Sequence, residues 1–197
     1  VRIIAGSARG RVLKAPRKSS VRPTADRVKE SIFNVLGQWL DGERVLDLYA
    51  GVGSLGLEAL SRGAAHATFV EADPDVITTL AANIRMLGFE SSTTTLLKSA
   101  DRAIRSLGGK GESFSLILAD PPYAARAGAM LLTEIGGAGI LVEGGRFVLE
   151  HDRREVLPAQ SGELTRVDER RFGDTLVSLY ARAEAGAPSS SGSDPRG

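Results

Sequence analysis

The 197-residue chain contains no cysteine, which excludes a disulfide framework, a thiolate nucleophile and a thiolate metal site. Histidine is nearly as scarce. His66 and His151 are far apart and show no ligand spacing, so no metal is expected. No apolar run is long enough to span a bilayer, and no membrane association is expected. The first residues are basic and interrupted by Gly, Ser and Pro, unlike a secretory signal, so the expected location is cytoplasmic. What is present suits one ordinary globular domain, large enough to bury a real core.

Excess charge of either sign is also missing overall, since the formal net is +1. That balance hides an asymmetry. Residues 1–30 carry nine basic side chains (Arg2, Arg9, Arg11, Lys14, Arg17, Lys18, Arg22, Arg27, Lys29) against Asp26 and Glu30, and the remainder is net acidic. Such a stretch is either a solvated basic face or a surface that neutralises phosphates and releases their counterions.

The opening "VRIIAGSARGRVLKAPRKSSVRPT" sets the apolar pairs Ile3-Ile4 and Val12-Leu13 on either side of a Gly/Ser/Arg turn. This predicts a small basic β-hairpin over residues 1–23, too poor in apolar surface to stand alone. Thr24 is placed to cap a helix with Val28, Ile32, Val35 and Leu36 on one face and Gly37 as its stop. Strands and helices then alternate. "RVLDLYA", "ATFVEA", "TTTLLKS", "FSLILA" and "GRFVLE" read as strands. Helices are expected at "LGLEALSRG", "DPDVITTLAANIRMLG" and near 101–107 and 126–136. Near-continuous apolar strands between helices predict a parallel sheet covered on both faces. "ELTRVDERRF" and "TLVSLYAR", separated by Gly173-Asp174, predict a closing antiparallel hairpin. The main domain would thus run over 24–183, and the composition of the tail 184–197 leads us to expect disorder there.

Two stretches carry chemistry. In "DLYAGVGSLGLEAL", Gly51, Gly53 and Gly56 form G-x-G-x-x-G between a strand and a helix, with Glu71 ending the next strand. A dinucleotide pyrophosphate and S-adenosylmethionine are both candidate ligands. Asp47 beside the turn is awkward for pyrophosphate and suits an ammonium, while Glu71 is placed to accept from ribose hydroxyls. Asp101, after the third strand, reads either as an acceptor for an adenine amine or as a helix cap.

The second stretch is "FSLILADPPYAA". Its prolines fix the backbone just past the carboxyl end of the fourth strand, the edge where open α/β sheets bind ligands. The Asp120 carboxylate and Pro121 carbonyl are two acceptors on a stiff loop, a natural receptor for an amino group. Pro122 completes the rigid edge, and Tyr123 offers a face on which a base can stack. Orienting such an amine toward a methyl sulfonium needs neither a metal nor a covalent intermediate.

With "RIIAGSARGR", "RPTADRVKESIFNVL", "DLYAGVGSLGLEALSRGA" followed by "VEAD", and "LADPPY", the chain resembles the RsmD family over about residues 2–182. The "RPTADRVKESIFN" block is the family-specific part. The resemblance implies a Rossmann-like class I methyltransferase sheet of seven strands. It further implies transfer of a methyl group from S-adenosylmethionine to the N2 amine of a guanine in 16S ribosomal RNA of the small subunit. By this resemblance Asp47, Ala50, Gly51, Gly53, Glu71, Ala72, Asp101 and Asp120 hold the cofactor, and Asp120, Pro121, Pro122 and Tyr123 receive the base. Arg2, Arg9, Arg11, Lys14, Arg22 and Arg27 would contact rRNA phosphates, with a structural ion pair as the alternative for Arg27. A monomer is expected. The competing readings are a DNA adenine-N6 methyltransferase, an NAD-dependent oxidoreductase using the glycine turn, and a non-catalytic RNA-binding module.

Overall fold

The computed structural model describes residues 1–15, 23–122 and 126–183, with side chains in the first helix from residue 26 onward. Arg22, Tyr123 and the tail from Glu184 lie outside the described residues.

Apolar strands buried on both faces require helices on both sides, and the chain supplies them in alternation. The order is α1 (Pro23–Leu36), β1 (Arg44–Leu48), α2 (Ser54–Ser61), β2 (His66–Glu71), α3 (Pro74–Leu87), β3 (Thr93–Leu97) and α4 (Ala100–Gly108). Then follow β4 (Phe114–Ala119), α5 (Gly128–Ala138), β5 (Leu141–Asp152), β6 (Gln160–Ser161), β7 (Leu164–Phe172) and β8 (Thr175–Arg182). One sheet runs β3-β2-β1-β4-β5-β8-β7-β6. The first five strands are parallel, and β8 enters antiparallel between β5 and β7. The two-residue β6 is an eighth strand beyond the seven expected, pairing Gln160 and Ser161 with the start of β7.

Two apolar cores lie against the sheet. On one face Val45, Phe69 and Leu118 pack with Ile32 and Phe33 of α1, Leu57 of α2 and Leu80 of α3. On the other, Leu46, Ile117 and Leu149 pack with Ile104 of α4 and Leu131 and Ile135 of α5. Order reverses between β1 and β4, which run side by side with Leu48 opposite Ala119. The carboxyl ends of β1, β2 and β4 therefore open onto one crevice.

Two local expectations are revised. Helix α1 starts at Pro23, one residue before the cap expected at Thr24; a proline fits the first turn because its missing N–H needs no partner there. Strand β5 starts at Leu141, four residues before "GRFVLE", with a register irregularity where it runs beside β4 between Phe114 and Leu116. The expected N-terminal hairpin is present and short: Arg2 is bridged to Val12, and the N–H groups of Ile3, Gly10 and Leu13 donate to the Arg11, Ile3 and Val1 carbonyls at 2.9, 2.8 and 3.0 Å.

The residues between the two arms are tied to α2. Glu58 of α2 accepts the Ile4 and Ala5 N–H groups at 2.8 and 3.0 Å, and Ser61 takes the Ser7 and Ala8 N–H groups through its carbonyl and hydroxyl. Ile3, Ala8 and Leu13 join the core, so residues 1–15 are docked onto the main sheet's helical layer. Glu58 is fully buried and also binds Arg62 Nε at 2.8 Å, with Lys29 Nζ 3.4 Å away. Burial pulls the Lys29 pKa below its ordinary value, against the opposing pull of Glu58. Arg62 lies 4.6 Å over the Phe33 ring. One carboxylate thus joins α1, α2 and the N-terminal segment.

Candidate active site

The chain leaves β1 through Tyr49, which adopts φ 59°, and the turn that follows returns its backbone beneath the crevice. Ala50 donates to the Val70 carbonyl at 2.9 Å and Gly53 donates to Ala50 at 2.8 Å. Each glycine answers a different demand. Gly53, at φ 90°, leads into α2, and a methyl there would lie 2.6 Å from Leu80 Cδ1 and 2.7 Å from Leu57 Cδ1. A methyl on Gly56 would sit 2.4 Å from Phe69 Cε1. Gly51 differs: its φ is 56°, and a methyl would meet nothing closer than the Tyr49 carbonyl at 4.0 Å. The space above Gly51 is a cradle that a side chain would fill.

Asp47, one residue before the end of β1, is buried beneath this turn and accepts the Gly56 N–H at 2.8 Å through Oδ2. Loss of water around it raises its pKa to about 7; the Gly56 bond opposes the rise, and the charges of Asp120 and Glu71 add to it. Glu71, ending β2, accepts Gly51 N–H through Oε2 at 2.9 Å. Its Oε1 accepts from Ala72 and Asp73 at 2.8 and 2.9 Å. Asp120 follows β4. Its side chain reaches solvent, yet it sits deep enough in the concave edge for desolvation to raise its pKa to about 6. Pro121 is buried and Pro122 exposed. Asp47, Glu71 and Asp120 therefore gather within electrostatic reach of one another, and among the described residues none of them forms an ion pair. A crevice lined by carboxylates repels a pyrophosphate and attracts a cation.

Asp101 is not the helix cap. Ser99 holds that position, and Asp101 is the second residue of α4, paired with Arg105 one turn on. Hydrogen bonding from Ser99, with Arg102 and Arg105 adding to it, holds its pKa below the usual carboxylate value. Tyr49 was not singled out by sequence pattern, because nothing local marks a tyrosine for left-handed backbone. It is half-buried, and burial raises its pKa, with the Asp101 charge adding to the effect. A non-glycine residue at positive φ is strained, a condition that clusters at ligand sites.

The basic side chains expected to face phosphates lie on the N-terminal segment and α1. Arg2, Arg9, Arg11, Lys14 and Arg27 are all exposed. Arg2 stands 3.6 Å from Asp26, and Arg11 donates to the Met86 carbonyl at 2.9 Å. Arg27 forms no ion pair with a described residue, so the structural pairing considered for it is absent there. Among the described residues no three His, Cys, Asp or Glu side chains are grouped to hold a metal, and no helix is long and apolar enough to cross a membrane.

A sheet of this order, reversed by an antiparallel strand at its far side, with a glycine turn after β1 and acidic residues at the carboxyl ends, has the class I methyltransferase fold. The chain belongs to the RsmD family: the family model described as "Conserved hypothetical protein 95" matches residues 1–181. It is 42% identical over 182 residues to YlbH of Bacillus subtilis (strain 168), covering 92% of this chain and 99% of that one. It is 33% identical over 186 residues to the protein named Ribosomal RNA small subunit methyltransferase D of Escherichia coli (strain K12), covering 94% and 92%. The solved structure of yhhF from Escherichia coli matches with a TM-score of 0.83 at 32% identity, covering 93% of this chain and 98% of that one.

Proposed function

We propose that this chain is an S-adenosylmethionine-dependent methyltransferase acting on ribosomal RNA, and that its target is the exocyclic N2 amine of a guanine in 16S RNA. The substrate is an assembled or assembling small subunit, and the enzyme acts as a monomer. The observation that carries the reading is the convergence of Asp47, Glu71 and Asp120, without basic partners among the described residues, beside the open space above Gly51. Family membership supports it, through a relative whose name states small-subunit rRNA methylation.

The residues present suit this cofactor. Asp47 is the carboxylate for its ammonium, Glu71 for its ribose hydroxyls, and Asp101 for its adenine amine, with Ala50, Gly51, Gly53 and Ala72 giving backbone walls. When bound, S-adenosylmethionine supplies an electrophilic methyl on a sulfonium. Asp120, with a pKa of about 6, is ionised at neutral pH and accepts a hydrogen of the guanine amine. The Pro121 carbonyl accepts the other. Their combined effect is to orient a weakly nucleophilic nitrogen, whose lone pair is otherwise delocalised into the ring. Pro121 and Pro122 keep the acceptors fixed by fixing φ. Tyr123, in the same motif, is assigned to stack on the base and hold it out of its helix. Arg2, Arg9, Arg11, Lys14, Arg22 and Arg27 would neutralise RNA phosphates around this edge.

The test is to incubate the protein with labelled S-adenosylmethionine and small subunits from a strain lacking the corresponding enzyme, then map the product by mass. Label on one guanine of 16S RNA is expected. Label on adenine, on DNA, or nowhere would overturn the reading.

A further inference from the structure

Asn83 lies in the middle of α3 and is completely buried, yet its amide faces no other side chain. Its Oδ1 accepts the Lys14 N–H at 2.8 Å. Its Nδ2 donates twice, to the Lys14 carbonyl at 3.0 Å and to the Val52 carbonyl at 3.0 Å. Both amide hydrogens are thus used, and the contact with Lys14 copies the two-point pairing that a neighbouring strand would make. Val52 stands between Gly51 and Gly53, in the turn beneath the crevice. The same helix touches that turn a second time, where Leu80 fills the space a methyl on Gly53 would need.

We propose that Asn83 is a positioning residue that makes the cofactor turn and the basic N-terminal segment one mechanical unit, so that filling the turn orders the segment that meets RNA. The proposal rests on the cofactor assignment above. The chemistry selects asparagine. Aspartate keeps the acceptor for Lys14 N–H but has no donor for the Val52 and Lys14 carbonyls, and leucine offers neither. A buried carbonyl left without its donor carries the full cost of its lost hydration, which releases one side of the joint. Because coupling between two sites is reciprocal, an RNA-occupied segment would tighten the turn by the same factor.

The joint can be read without RNA. Lys14 N–H, bonded to Asn83, and Gly53 N–H, bonded to Ala50, report on its two sides through residue-resolved amide exchange of the full chain. S-adenosylhomocysteine at about 100 times its Kd should slow any opening that releases it about 100-fold. In the unaltered protein both amides should slow by the same factor. In Asn83→Asp, Gly53 should still slow on addition of the ligand while Lys14 does not. Binding of S-adenosylhomocysteine with no change at Lys14 in the unaltered protein would overturn the proposal alone. So would equal slowing of both amides in Asn83→Asp. Failure to bind S-adenosylhomocysteine at all would overturn it together with the cofactor assignment.

Discussion

The Gly56 N–H points at Asp47 Oδ2 from 2.8 Å, and the missing Gly56 side chain is what permits the approach. A methyl there would lie 3.0 Å from that same oxygen and 2.4 Å from a ring carbon of Phe69, which has no exposed surface. The last glycine of the G-x-G-x-x-G turn therefore serves the fit of α2 against β1 and β2, and through that fit sets the carboxylate under the crevice.

Gly56→Ala should destabilise the protein despite the better helix propensity of alanine. Forcing a methyl into a filled core costs about 1–3 kcal/mol, and the propensity gain offsets at most about 1 kcal/mol. Urea unfolding monitored by circular dichroism measures the net. A variant as stable as the parent would show that Phe69 can move aside.

Glu58→Ala should be far more damaging than its distance from the crevice suggests. It leaves Lys29 and Arg62 buried without their partner and the Ile4 and Ala5 N–H groups without an acceptor. Breaking a buried ion pair on one side costs about 3–5 kcal/mol. The expected result in urea is a transition at much lower denaturant, preceded by loss of amide protection in residues 3–8.

Asp47 gives stability and binding opposite responses to pH. Its folded pKa, about 7, lies above its ordinary value of 3.8, so the folded state holds more protons than the unfolded state between those values. The associated stability is complete below about pH 4 and is lost as pH rises through 7; Asp120, raised to about 6, adds in the same direction. Asp47→Asn should flatten the decline between pH 5 and 8 by an amount on the order of 2 kcal/mol. A cofactor ammonium favours the ionised form, so calorimetric binding of S-adenosylmethionine should release protons near pH 6–7 and tighten toward pH 8. Proton uptake would remove Asp47 from the ammonium site.

Arg9 and Arg11 are exposed on a segment whose apolar residues Ile3 and Leu13 belong to the core, so removing charge is a cleaner test than removing the segment. The double variant Arg9→Ala, Arg11→Ala should weaken RNA binding and lower the salt slope by about 1–2. S-adenosylmethionine affinity without RNA should be unchanged. An unaltered salt slope would exclude both side chains from phosphate contact.

How much of this was legible depended on whether the deciding interactions were local. The apolar runs of β1, β2 and β4 and the glycine spacing after β1 declare themselves because strand period and turn chemistry are properties of a few consecutive residues. Lys29 reads as one more cation of a basic stretch, but it is buried against Glu58, a residue of another helix. The N-terminal hairpin was legible from its local pattern, but the hold of that same carboxylate and of Ser61 on the residues between its arms was not. Asp101 has a good capping side chain, yet α4 begins one turn position too early for it to act as a cap. Asn83 left no signal at all, because its meaning lies in Lys14 and Val52, which only the folded chain brings to it.

The central claim is that Asp120 orients the target amine, and Asp120→Ala tests it most directly. The variant should lose methyl transfer to small-subunit RNA while binding S-adenosylmethionine within a few-fold of the parent. A variant that binds the cofactor normally and methylates at the parental rate would contradict the account.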